Sequence, residues 1–362
     1  MIEILTMSPT AGDGKYVGVP WDIEPSFKYN HQIAQMAEQT GFSALLLPVG
    51  AECLDASIVA SSLIQSTKNL KFLVAARPGF ISPTVFAKQF ATLDYLSNGR
   101  AIINVVTGGS QADLERDGDS LSHHLRYKRT QEFVHILKRL FTEDVVNHQG
   151  EYYSIKNASL FPKPVQQPRP EIFMGGASEA GKQVAAKLAD VYMLWGETLE
   201  DTKLRIEEMK HLAAKEGRTL KYSVSLQVIT AETEEKAWEK AHNLISKVSE
   251  SSLESKKKFR LKDESVGHKR LDKLMEEAKE KDFIIGPNLW AGLTQVLSGN
   301  SIALVGTPDQ IADRVVEYVN LGFEKVLLRG FPHLEVIEAI GKEIIPKVKD
   351  RLKEKQSSSL VR

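Results

Sequence analysis

The order of apolar and amphipathic segments constrains this chain more than any other feature. Near-continuous apolar runs at residues 43–49, 70–76 and 101–107 are typical of strands that are buried on both faces. Segments with helical spacing follow, and one of them begins with Ser82 and Pro83, a favoured N-cap and first helical residue. Eight principal strands alternate with helices in this way. The order predicts the α/β class and favours a (β/α)8 barrel, or TIM barrel, over an open doubly wound sheet.

One highly charged segment interrupts the alternation. Residues 249–282 hold 19 charged side chains in 34 positions and show no strand pattern. The alternation resumes with a short strand at residues 302–305. We therefore expect a single domain over residues 1–362 with a charged, mobile insertion at about residues 249–300, near the C-terminal mouth of the barrel. We refer to this insertion as the predicted lid.

The charge balance argues against two common classes of partner. Lysine plus arginine and aspartate plus glutamate both total 47, so the formal net charge is zero. This removes the usual electrostatic argument for binding nucleic acid or an anionic membrane. The single cysteine, Cys53, excludes an intrachain disulfide and fits a reducing compartment. Because the sequence shows neither a signal-peptide pattern nor an apolar run near the ~20 residues of a membrane span, we expect a cytoplasmic globular protein.

In a barrel of this kind, the loops after the C-terminal ends of the strands build the functional site. Polar side chains at those positions are therefore the first candidates. They are Thr10, Asp13, Cys53, Arg77, Asn104, Thr107, Asp113, Ser178, Trp195, Glu197, Gln227, Arg329 and His333.

Two local patterns suit a phosphate group. The Gly-Gly-Ala-Ser segment that ends in Ala177 and Ser178 joins a strand to a helix, where backbone N–H groups and a serine hydroxyl can face an anion. A plain turn with Ser178 as the N-cap explains the segment equally well. Arg126 and Tyr127 begin a long helix. The arginine could clamp a phosphate while the tyrosine flanks a ring system. Alternatively, the arginine forms a surface ion pair and the tyrosine packs against the protein.

The remaining signals leave alternatives open or exclude functions. Cys53 could be a reactive thiol or an inert small apolar side chain, and His333 could face the mouth of the barrel or be an ordinary loop histidine. His123 and His124 have no third ligand at metal spacing, so we expect no metal site. The chain has no GxGxxG segment after a strand and no GxxxxGK[ST], GxSxG or HExxH segment. Their absence removes the main support for Rossmann, P-loop, hydrolase and zinc-protease functions.

Several separated motifs together resemble one family. Residues 87–100 read AKQFATLDYLSNGR and residues 103–108 read INVVTG, which resembles the central signature of the bacterial luciferase-like flavin monooxygenases. Within that family the chain is similar to the alkanesulfonate monooxygenase branch. The motifs that carry this finer resemblance are Pro9-Thr10 with Gly12-Asp13-Gly14, Gly50 with Glu52-Cys53, KFLVA at 71–75, Trp195-Gly196-Glu197, PNLWAG at 287–292 and PHLE at 332–335. The resemblance runs from about residue 2 to residue 350.

The resemblance implies a TIM barrel that receives reduced FMN (FMNH2) from a separate NAD(P)H:flavin reductase and uses O2 to insert one oxygen atom into a small substrate. It implies that the insertion closes over the site and excludes water. It also implies a homodimer or homotetramer.

Site residues follow from the same resemblance. Asn104 and Thr107 would line the flavin ring, and Asp113 would position its edge. The ribityl phosphate would be held by Arg126, Tyr127, Ala177 and Ser178. The catalytic and substrate end would comprise Cys53, Trp195, Gln227, Arg329 and His333.

The chain departs from the sulfonate enzymes at the substrate end. Two arginines, two histidines and a tyrosine of those enzymes are replaced here by Ser225, Leu297, Ala11, Gln227 and Phe331. Moving a sulfonate out of water without charged hydrogen-bond donors costs on the order of several kcal/mol. We therefore expect alkanesulfonates to be poor substrates and a neutral sulfone, sulfoxide or other small organic compound to fit better. Arg329 replaces a small residue and restores one cation, which keeps an anionic substrate open.

Two other functions stay open at this point. A deazaflavin-dependent oxidoreductase on the same barrel would transfer hydride without O2. A flavin-binding homologue that has lost catalysis would bind FMN and turn over nothing.

Overall fold

The expected alternation of strands and helices is present in the computed structural model, which describes residues 2–260 and 265–360. Within these residues the strands are β1 (Glu3–Met7), β2 (Ala44–Leu47), β3 (Lys71–Ala76), β4 (Ala101–Val105), β5 (Val146–Gln149), β6 (Ser154–Ala158), β7 (Ile172–Gly175), β8 (Val191–Trp195), β9 (Lys221–Thr230), β10 (Ile284–Gly286), β11 (Leu289–Trp290), β12 (Ala303–Gly306) and β13 (Lys325–Arg329).

Most of the helices lie between the strands and cover the outside of the barrel. The helices are α1 (Phe27–Gln39), α2 (Ala56–Leu63), α3 (Pro83–Leu96), α4 (Gln111–Arg116), α5 (His123–Thr142), α6 (Glu179–Leu188), α7 (Leu199–Lys215), α8 (Glu234–Leu244), α9 (Glu250–Arg260), α10 (Val266–Glu277), α11 (Pro308–Asn320), α12 (His333–Ala339) and α13 (Ile345–Leu360). None of these described helices has the length and apolar character that crossing a bilayer requires.

Eight parallel strands close into a barrel in the order β1-β2-β3-β4-β7-β8-β9-β13, and β13 pairs back with β1. The predicted (β/α)8 barrel is therefore confirmed. The strand expected at residues 302–305 is present as β12 but lies outside the barrel. It pairs with the C-terminal part of β9 beyond the end of β8, because β9 is ten residues long and extends past its neighbour.

Side chains inside the barrel alternate with side chains that pack against the helices, as the period of a strand requires. The interior cluster includes Leu5, Leu73, Ile102, Phe173 and Leu327. At the N-terminal end, the buried Lys325 ammonium pairs with Glu3 at 2.5 Å and with Glu171 at 3.2 Å. These ion pairs hold together the end of the barrel that lies opposite the mouth.

The charged segment predicted to be a lid contains α9 and α10, followed by β10 and β11, which pair antiparallel. Four residues of the predicted lid, 261–264, lie outside the described residues. Helix α10 crosses the C-terminal mouth, as the contacts below show. The mobility of the segment stays a prediction.

Candidate active site

The floor of the mouth is formed by inward-facing side chains at the C-terminal ends of the barrel strands. Asn104 follows the interior residue Ile102 by two positions on β4, and Trp195 follows Met193 in the same way on β8. Arg329 on β13 pairs in register with Gln227 on β9, so both face the interior. The rule that strand ends build the site thus places four predicted residues on one surface.

A cavity of about 220 Å³ lies on one side of this floor, between β4, β7, β8 and α10. It brings together half of the predicted site residues. They are Asn104, Thr107, Tyr127, Ala177, Ser178 and Trp195. His123, Tyr192, Glu197, Ser265 and Arg270 also contribute to its polar lining.

The N-terminus of α6 forms one end of the cavity. Ser178 is its N-cap and accepts a hydrogen bond from the Gly181 N–H at 3.2 Å. The Tyr127 hydroxyl packs over the turn so closely that a Cβ on Gly176 or Gly181 would lie 2.9 or 2.7 Å from it. Burial raises the pKa of Tyr127, so this hydroxyl stays protonated. The remaining N–H groups of the first helical turn have no partner within the helix, which suits an anion.

Helix α10 forms the roof of the same cavity. The His268 ring stacks on Trp195 with centroids 5.2 Å apart and planes 2° apart, and Gly267 leaves room for the indole. Arg270 pairs with the buried carboxylate of Glu197 at 3.2 Å. The Nε of Arg270 is buried and donates to no acceptor among the described residues. The roof therefore brings a cation with a free donor to the cavity.

A second cluster is centred on Asp13, which is fully buried. Its Oδ1 accepts from His333 Nδ1 and the Gly14 N–H, both at 2.9 Å, and its Oδ2 accepts from the His333 N–H at 2.7 Å and from Tyr29 Oη at 2.5 Å. Burial alone would raise the pKa of Asp13, but the bonds from His333 and Tyr29 outweigh it and hold that pKa below its usual value. The carboxylate is therefore ionised and fully occupied.

This cluster fixes the protonation state of His333. Burial lowers the pKa of His333, even though Asp13 opposes the shift, so the imidazole is neutral at pH 7. Because Nδ1 donates to Asp13, the lone pair lies on Nε2, which is buried and bonded to no described residue. The geometry leaves His333 able to accept a proton or a hydrogen bond at Nε2.

Gln227 and Arg329 lie beside this cluster. The Gln227 amide donates to the Asn300 carbonyl at 2.9 Å, and Asn300 donates to Ser225 Oγ at 2.6 Å. Arg329 reaches Met7 Sδ at 3.0 Å and the Asn300 carbonyl at 3.4 Å. Burial lowers the pKa of the Arg329 guanidinium to about 10, so it is still charged at pH 7.

Three further predicted residues lie outside the 220 Å³ cavity and are not among the Asp13 cluster and its neighbours Gln227 and Arg329. Cys53 lines a larger cavity of about 1060 Å³ that runs outward between α2 and α3. Burial raises the pKa of its thiol, which keeps it protonated. Asp113 pairs with Arg77 and accepts from the Ala51 N–H at 3.1 Å. Arg126 donates to Gln111 and to the Leu121 carbonyl, so it ties down the loop before α5.

The structure adds contacts and residues that the sequence did not reveal. Asp13 stood among the candidates because it follows β1, but its contact with His333 spans 320 residues and leaves no local signal. Arg270 and Asn300 come from the predicted lid, where charged and polar residues are too common to stand out. Among the described residues, no group of three or more His, Cys, Asp and Glu side chains could hold a metal ion.

Solved structures share this architecture across nearly the whole chain. A long-chain alkane monooxygenase, LadA, is 22% identical with a TM-score of 0.78, covering 97% of this chain and 91% of that one. A riboflavin lyase, RcaE, solved with modified FMN and riboflavin, is 20% identical with a TM-score of 0.76, covering 97% and 92%. A coenzyme F420-dependent tetrahydromethanopterin reductase from Methanopyrus kandleri is 16% identical with a TM-score of 0.67, covering 95% and 98%.

These likenesses concern the fold. The family follows from the sequence, because the model of the luciferase-like monooxygenase family matches residues 2–325. The match includes the mouth residues on β4, β7, β8 and β9. The chain belongs to the luciferase-like monooxygenase family.

Proposed function

We propose that this protein is the oxygenase of a two-component system that takes reduced FMN and O2 and oxygenates a small organic substrate, with organosulfur compounds as the first class to test. When bound, reduced FMN would supply the two electrons that place one oxygen atom of O2 in the substrate and the other in water. A separate NAD(P)H:flavin reductase would supply it. A homodimer or homotetramer is part of the proposal.

The observation that carries this proposal is the cavity between the α6 N-terminus and Asn104. Its donors suit the phosphate end of FMN: the Ser178 hydroxyl, the Tyr127 hydroxyl, the free N–H groups of α6 and the unpartnered Nε of Arg270. Its 220 Å³ is below the ~300 Å³ at which ordinary ligand pockets begin. We therefore assign the phosphate and ribityl chain to this cavity and the ring system to the adjoining mouth.

Residues of the mouth would orient the ring. Asn104 and Thr107 lie where the cavity meets the floor of the barrel, and Trp195 with the roof helix would exclude water. Asp113 and Arg126 would act through the wall of the site, because each is bonded to the loops that frame it. Neutral His333 would hold or accept a proton at Nε2 on the substrate side.

Anaerobic titration with photoreduced FMN tests the proposal, followed by aeration with sulfonates, sulfones and sulfoxides. We expect saturable binding of reduced FMN, altered flavin reoxidation on aeration, and substrate-dependent oxygen uptake with an oxygenated product. Free-solution reoxidation kinetics together with no flavin binding would refute it. Binding without turnover on any panel member would support the reading as a flavin-binding homologue without catalysis.

A deazaflavin-dependent oxidoreductase is the second candidate, supported by the likeness to the F420-dependent reductase. The same titration with reduced and oxidised deazaflavin separates the two. Hydride transfer to or from a substrate without O2, and no response to reduced FMN, would favour the second candidate.

A further inference from the structure

Two cations on the same strand, the buried Lys325 and the partly buried Arg329, have different surroundings. Lys325 and Arg329 are four residues apart on β13, so both point into the barrel. Lys325 pairs with two carboxylates, Glu3 and Glu171. Arg329 has no carboxylate within 4.0 Å among the described residues. Since a charge that is largely removed from water is normally paired, Arg329, whose Nε is buried, is the exception on this strand.

The contacts that Arg329 does make are weak acceptors. Nη1 faces the thioether of Met7 at 3.0 Å, and Nη2 is 3.4 Å from the Asn300 carbonyl. Nε is buried and has no acceptor among the residues that the structure describes. The Phe331 ring centroid is 6.0 Å from the guanidinium carbon. The edge formed by Nε and Nη2, which in arginine binds a carboxylate or sulfonate through two parallel hydrogen bonds, therefore has no strong partner.

The nearest acid does not fill this gap. Asp13 attracts Arg329 electrostatically, but its two oxygens already accept four hydrogen bonds from Gly14, Tyr29 and His333. The other acceptors near Arg329 are neutral. An anion from outside the chain would complete the site.

We propose that Arg329 binds the anionic head group of the substrate, a carboxylate or sulfonate, through its Nε and Nη2 edge at the floor of the mouth. This rests on the proposed function, because the substrate is that of the same site. It also changes the expectation from the sequence. The neutral residues at the substrate end favoured a neutral compound, whereas a partly buried guanidinium that pairs with no described carboxylate favours an acid.

Three probes with the same octyl chain test the charge requirement. They are 1-octanesulfonate, nonanoate and methyl octyl sulfone, and the sulfone matches the sulfonate in shape without its charge. Calorimetric titration of the full-length protein with oxidised FMN present measures binding without turnover. We expect at least one anion to bind at least about tenfold more tightly than the sulfone, and Arg329→Met to remove that preference. The preferred anion would distinguish a sulfonate from a carboxylate substrate.

Thermal unfolding of two matched variants separates binding from a structural role. Arg329→Met should melt at the same or a higher temperature than the ligand-free wild type, because it removes a partly buried charge that no described carboxylate pairs. Lys325→Met should melt at a clearly lower temperature, because it removes the buried cation that Glu3 and Glu171 share and leaves each carboxylate with a single, more exposed lysine partner. The proposal is overturned if the wild type shows no anion preference, if Arg329→Met keeps it, or if Arg329→Met melts as low as Lys325→Met. Since no step uses reduced flavin or O2, these outcomes are independent of whether the protein is a monooxygenase.

Discussion

Replacing Asp13 with asparagine should destabilise the protein and change the tautomer of His333. The Asp13 carboxylate accepts four hydrogen bonds, two at each oxygen. An amide has one acceptor oxygen, so its NH2 group would face either the Gly14 N–H or the His333 N–H, neither of which can accept in return. At about 1.5–3 kcal/mol for a bond to a charged group, losing this one bond lowers the free energy of unfolding by about 1.5–3 kcal/mol. Urea denaturation of the wild type and the Asp13→Asn variant measures the difference.

The direction of the amide also decides the chemistry at His333. If the NH2 group of the introduced amide faces His333, Nδ1 must accept its hydrogen bond and the ring proton moves to Nε2. Nε2 then has no lone pair free to accept a proton. Substrate turnover should then fall more than reduced FMN binding. Asp55→Asn is the matched control, because Asp55 is exposed and caps α2 through the Ile58 N–H at 2.8 Å. Asparagine caps as well as aspartate does. A loss below about 1 kcal/mol for Asp13→Asn, or one equal to that of Asp55→Asn, would refute this reasoning.

The other predictions concern the cofactor cavity, its roof and acid stability. Ser178→Ala should raise the Kd of FMN about fivefold or more, measured by flavin fluorescence. Thr198→Ala is the control: it removes the equivalent N-cap of α7, so it should lower the free energy of unfolding by a similar amount and leave the Kd of FMN unchanged. Trp195→Ala removes the stack on His268, so more reduced flavin should be lost as hydrogen peroxide per product formed, measured by a peroxide assay. Because the pKa of His333 is lowered by folding, the unfolded state binds more protons below pH 6.5. The free energy of unfolding should therefore fall as the pH drops from 6.5 toward the pKa of His333 in the folded protein, by no more than about 1.4 kcal/mol per pH unit. In urea denaturation at a series of pH values, His333→Gln should remove this contribution to the pH dependence.

The barrel could be predicted because its determinants are local. Apolar runs such as residues 70–76 and 101–107 mark strands buried on both faces, and the rule for barrel loops turned strand ends into site residues. Asn104, Trp195, Gln227 and Arg329 were found in this way. The Gly-Gly-Ala-Ser turn was ambiguous in the sequence, and its position in the cavity beside Tyr127 is what favours the phosphate interpretation.

Other parts of the site had no local signal. Strands β10 and β11 have three and two residues, which is too short for a period to show. Helix α4 lies in a segment that reads as a polar loop. The pairing state of Arg329 depends on groups from three distant segments, so the sequence could name the arginine without indicating whether any acid faces it. The place of a residue along a strand can be predicted from its local sequence, whereas the groups that its side chain contacts cannot.

Strand β9 has a consequence for how this enzyme can be altered. Gln227 pairs with Arg329 on one edge and with Ala303 of β12 on the other. The segment before β12 also carries Asn300, whose carbonyl accepts from Gln227 and Arg329, so we expect a change in the packing of β10–β12 to shift both of these mouth residues. Mutant libraries aimed at new substrates should include residues 284–306 as well as the pocket walls, because this segment helps to position side chains proposed to contact the substrate.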